Sequence, residues 1–118
     1  MYELKDSERI TTKPGLEEKW AESVGNNQDG YGHGVVDATV AVCRALDGGH
    51  TPEEAENACN GLGITGFMAG CMAQWVAHFH PRGEEFRHWW NTRWGGKSAE
   101  SANAKAGAVV NPAILTIG

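Results

Sequence analysis

Three histidines, His78, His80 and His88, crowd one short stretch of the chain, with Glu84 and Glu85 between them. A zinc site needs three or four such ligands converging tetrahedrally. His78 and His80 stand two apart, which on a helix turns them about 200° from one another. They converge only if Pro81 unwinds the helix end. Glu84 and His88 share an ExxxH spacing, but no HExxH accompanies it. These three are therefore weak metal candidates, and no cofactor is expected. Capping, a bond to a carboxylate, or surface exposure are their plainer roles. Cys43, Cys59 and Cys71 show no CxxC and fall at apolar helical positions, so they read as buried free thiols. Neither GxSxG, a Walker A loop nor paired carboxylates occur.

Two other segments carry groups suited to binding. NNQDGYGHG, residues 26–34, has three glycines in five positions and leads into a helix. Free backbone N–H groups and the helix dipole make such a junction receptive to anions, which makes Asn27, Asp29, Tyr31 and His33 candidate ligand contacts; a plain connecting turn is the alternative. In RGEEFRHWWNTRW, residues 82–94, Phe86, Trp89, Trp90 and Trp94 occupy most faces of one short helix. They do not all fit one small core, so at least one indole should meet a surface, a subunit or a ligand. Arginine beside exposed tryptophan suits stacking on a planar ring, and Arg87, Trp90, Asn91 and Arg93 are the candidates there. Core packing plus a dimer contact is the alternative.

The elements that position these residues read as an all-α bundle of about five helices. A polar arm covers residues 1–12, and Pro14 suits the first turn of a helix that Gly25 closes, with Leu16, Trp20 and Val24 on one face. A second helix spans about 35–46, with a row of Ala38, Ala41 and Ala45. Thr51-Pro52-Glu53-Glu54 is an N-cap, first-turn proline and capping box. The short helix it opens should turn Ala55, Ala58, Cys59 and Leu62 inward. The fourth helix, about 64–79, is apolar or small nearly all round and should be the buried centre. Its small face, Gly66, Gly70, Ala73 and Ala77, invites the alanine row. Pro81 ends it, and a fifth helix runs from about Gly83 to Trp94. Residues 1–96 form one domain. Residues 97–118 are an Ala/Gly-rich tail whose apolar end latches onto the body, pairs with the arm as a short extended segment, or reaches a second subunit.

At 118 residues the chain is long enough to fold as one domain. Its net charge of −5 disfavours long nucleic acid. Residues 1–77 hold five basic and twelve acidic groups, whereas residues 78–97 hold four basic and two acidic. A basic patch on an acidic protein suits a small anion or an acidic partner. No signal core leads the chain, and the uncharged run 62–79 is too polar for a membrane span. A cytoplasmic setting is expected.

The strings NNQDGYG, GITGFMAG and HWWN together resemble a group of small uncharacterised proteins of tailed phages and prophages. In that pattern an Asn-x-Asp-x-Tyr-Gly loop (Asn27, Asp29, Tyr31, Gly32) precedes a Gly-Ile-Thr-Gly-Phe-Met segment (Gly63 to Met68) and a helix ending Trp-x-Asn (Trp89 to Asn91). The match covers roughly residues 18–95. The resemblance implies a setting in the host cytoplasm and no mechanism. Three functions compete. The first is a non-enzymatic accessory protein that binds a host protein or a small anionic molecule, such as a nucleotide, to block a host process. The second is a structural or assembly homo-oligomer. The third is a small hydrolase using the histidines.

Overall fold

The computed structural model describes residues 2–27, 32–62 and 66–94, giving the backbone alone at 32, 33, 66 and 67. Among these the only regular elements are helical: α1 (Glu17–Asn26), α2 (Gly32–Asp47), α3 (Pro52–Asn57), α4 (Gly66–Phe79) and α5 (Gly83–Arg93), with 3₁₀ turns at Asp6–Glu8 and Asn60–Leu62. The all-α reading holds. The loop residues Asp29 and Tyr31, the segment 63–65 and the tail 97–118 lie outside the described residues.

Helix α4 is the centre, as its sequence requires. No residue from Met68 to Phe79 is exposed. One side of α4 packs Met72, Ala73 and Val76 with Ala38, Val42 and Leu46 of α2 and Phe86 and Trp90 of α5. Its other side packs Cys71, Trp75 and Phe79 with Trp20 and Val24 of α1 and Val36 and Val40 of α2. Ala41, Ala45 and Ala69 border the first cluster. Trp20 meets Trp75 and Phe79 edge-on, with centroids 5.8 and 5.1 Å apart.

The ends of the helices are closed by specific groups. Thr51 and Glu54 exchange both capping-box bonds, at 3.2 and 2.9 Å. At the end of α2, Gly49 takes a positive φ of 85°. Its N–H bonds Leu46 O, and the next N–H, from His50, bonds Ala45 O. That is a Schellman motif, and it needs a residue without a Cβ penalty. The N-terminal arm is an ordered strap. Tyr2 Oη donates to the buried Glu8 carboxylate at 2.9 Å, and the Trp20 indole donates to Glu8 O at 2.8 Å. Lys13 then caps α4, its N–H on Phe79 O at 2.7 Å and its Nζ on Ala77 O at 2.9 Å.

Four local expectations are corrected. Pro14 is not in a helix: Lys13 is pinned to α4, so the chain reverses through Pro14 and Gly15 (φ 85°) and α1 starts two residues later. Gly25 lies inside α1, where a Cβ would come within 2.6 Å of Tyr2 Cβ. Its bareness seats the arm rather than ending the helix. α2 starts at Gly32, three residues before Val35. Ala58 and Leu62 face out, because the 3₁₀ turn that follows α3 breaks the α-helical spacing. No described helix is long and apolar enough to cross a membrane.

Candidate functional site

The histidines part company once folded. His80 is 1% exposed and both ring nitrogens are used. Nδ1 accepts the Arg82 N–H at 3.0 Å, so Nε2 carries the proton and donates to Asp47 Oδ1 at 2.8 Å. Arg82 completes the bracket: its Nη1 donates to Leu46 O at 2.8 Å and His50 O at 3.0 Å, and its Nη2 pairs with Glu85. A guanidinium on the Leu46 carbonyl, in the last turn of α2, also meets the negative end of that helix. His80 thus fastens the α4–α5 turn to the end of α2. His78 is half-buried, edge-on to Phe79 at 4.7 Å, with a buried Nε2 that has no partner among the described residues. Burial, then the charges of Lys13 and Lys19, hold its pKa below the usual histidine value. His88 is exposed on α5. Among the described residues no three His, Cys, Asp or Glu side chains are placed to hold a metal ion.

The thiols are free and buried, as expected. Burial pushes the Cys71 thiol up to about 11 and raises Cys43 and Cys59 as well. A thiolate nucleophile needs the opposite environment.

The aromatic helix divides its rings between core and surface. Phe86 and Trp90 are buried at 0% and 6% exposure, Trp89 is half-buried, and Trp94 is 40% exposed. Arg87, Asn91 and Arg93 are exposed. The Arg93 guanidinium lies over the Trp94 ring, 4.8 Å from its centroid. Arg87, Asn91 and Trp94 are spaced four and three apart, so they follow one edge of α5. Asn27 sits apart from them at the end of α1, its Nδ2 donating to Ser23 O at 2.8 Å. His33 lies in the first turn of α2, its side chain outside the described residues.

Where α3, α4 and α5 meet, a cleft of about 80 Å³ opens, lined by Glu56, Cys59, Asn60, Ala69, Met72 and Trp90. Ala69, Met72 and the indole give it apolar walls, and Glu56 and Asn60 give it a polar side. Two of its groups are poorly compensated. Trp90 Nε1 is buried with no hydrogen-bond partner among the described residues, a situation that costs about 1–3 kcal/mol. Desolvation pushes the Glu56 carboxyl up, although a bond from Trp94 Nε1 (3.2 Å) and the charge of Arg93 act against the shift. Glu56 and Asn60 carry no signature in the sequence. They become notable only because α3 docks against the end of α5.

A larger open groove, lined by Tyr2, Glu18, Glu22, Gly25 and Asn26, lies between the arm and α1. Its two carboxylates are exposed. No family model, no curated protein and no solved structure matches this chain.

Proposed function

We propose that this chain is a non-enzymatic binding protein that works through the seam between α3 and the C-terminal half of α5. The observation that carries this reading is the cleft walled by Trp90, Glu56 and Asn60 at that seam. Beside it stand an exposed cation–aromatic pair, Arg93 and Trp94, and the exposed Arg87. Such a surface suits a small ligand with a planar ring and an anionic group, as a nucleotide has. With the resemblance to phage accessory proteins, the reading becomes an accessory factor that sequesters a host nucleotide or occupies a host protein. Histidine- or thiol-based hydrolysis has less support, since His80 spends both nitrogens on the fold and the thiols are held protonated.

Calorimetric titration with the four nucleoside monophosphates tests it. Saturable heat that Trp94→Ala and Arg93→Ala both weaken by about tenfold or more is expected. Silence from the whole panel, with native mass spectrometry finding neither co-purified molecule nor partner, would remove the reading.

A second reading has its own observation. Leu62 at 45% and Trp94 at 40% exposure are large apolar side chains left in solvent, and a second copy of the chain would cover them. Light scattering showing a monomer at all concentrations would end that alternative.

A further inference from the structure

We infer that the C-terminal edge of α5 docks in the groove between the arm and α1 of a second copy of this chain, with Trp94 entering the groove and arginine meeting its carboxylates. The inference rests on the second reading above and names the surface that the second copy presents.

The argument is one of charge and shape. From Arg87 to Trp94 the chain carries two arginines and no acid. Arg87 is exposed and forms no ion pair among the described residues. Arg93 already stacks on the 40%-exposed Trp94 ring, so the two present themselves as a unit. Tryptophan and arginine are the side chains that most often anchor a protein contact. The groove has the opposite character. It holds about 500 Å³ between Tyr2, Glu18, Glu22, Gly25 and Asn26. Glu18 and Glu22 stand four apart on α1, a spacing at which like charges oppose the helix. Neither forms an ion pair among the described residues. A cation brought between them relieves that repulsion, whereas a phosphate would add to it. Tyr2 offers a ring for the indole, and the volume admits one. Groove and edge belong to different elements, since α5 packs on α4 and α3. The contact is therefore heterologous, one copy's edge in the next copy's groove. It leaves a free groove at one end and a free edge at the other, and so builds rings or open chains.

Sedimentation of the full chain over a range of concentrations tests this. Glu18→Lys with Glu22→Lys reverses the charge of the groove, and Arg87→Ala with Trp94→Ala removes the edge. All four side chains are exposed, so both double variants should keep a melting temperature near that of the parent. The parent should assemble beyond a dimer. Each double variant alone should raise the dissociation constant at least about tenfold. An equal mixture of the two should regain association and stop at the dimer, because one intact edge meets one intact groove and the remaining faces do not pair. Association that Glu18→Lys with Glu22→Lys leaves unchanged would overturn the docking and leave the second reading standing. So would a parent that stops at a dimer, or a mixture that fails to recover association. A parent that stays monomeric throughout, with the groove free for some separate basic partner, would overturn both.

Discussion

Single residues carry much of the specificity of this fold, and they make sharp tests. A Cβ at Gly83 would lie 2.0 Å from Val76 O and 2.6 Å from Ala77 Cα. Backbone cannot yield as a flexible side chain can, so Gly83→Ala should cost about 3 kcal/mol, at the upper end of overpacking effects. Urea denaturation measures this, and a loss below about 1 kcal/mol would mean that the α4–α5 turn is looser than described. Asp47 tests the bracket at His80. Asp47→Ala leaves the protonated Nε2 of a 1%-exposed ring without an acceptor and should destabilise by about 1–3 kcal/mol. His78 gives a pH test. Its folded pKa lies below the ordinary 6.5, chiefly through burial. As pH falls through 6.5 the unfolded chain takes up this proton first, so the folded state loses stability between 6.5 and the lower folded value. The melting temperature should fall from pH 7 to 5.5, and less steeply in His78→Gln. Equal slopes would show that His78 is not held neutral by the fold.

At the scale of elements, the sequence announces what local chemistry dictates and hides what distant partners dictate. The capping box at Thr51 is legible because all its groups lie within four residues. Thr51→Ala should therefore lower stability by about 1 kcal/mol, readable by thermal melting. The central helix is legible because its apolar and small residues run all round. Pro14 misleads for the opposite reason. Its surroundings are set by Lys13 bonding Phe79 O, 66 positions away in sequence, and no window of the sequence contains that contact. Gly25 misleads similarly, since Tyr2 of the arm is what sits on it. The candidate site shows both cases. The aromatic and basic composition of α5 is plain from its letters, and so is the need for one indole at the surface, which Trp94 meets. Which indole turns inward is not plain. Nor is the pairing of Trp94 with Glu56, because that depends on where α3 docks.

The whole molecule is an acidic helical body, net −5 over the chain, whose local excess of basic side chains lies around α5. The arm, α1 and α2 serve to enclose α4. The end of α5, by contrast, is left with an exposed indole, an arginine over it and a cleft beside them. That division of labour, an enclosing body and one corner with an exposed cation–aromatic pair beside a cleft, is the reason for locating function at the α3–α5 seam. It is most directly examined through the indole N–H resonances of the five tryptophans, assigned by substitution and followed by nitrogen-15 NMR during titration with GMP. The account predicts that the Trp90 and Trp94 signals move saturably while the Trp20 signal, already bonded to Glu8 O, stays still. Signals of Trp90 and Trp94 that do not move, or a response confined to Trp20 and Trp75, would contradict it.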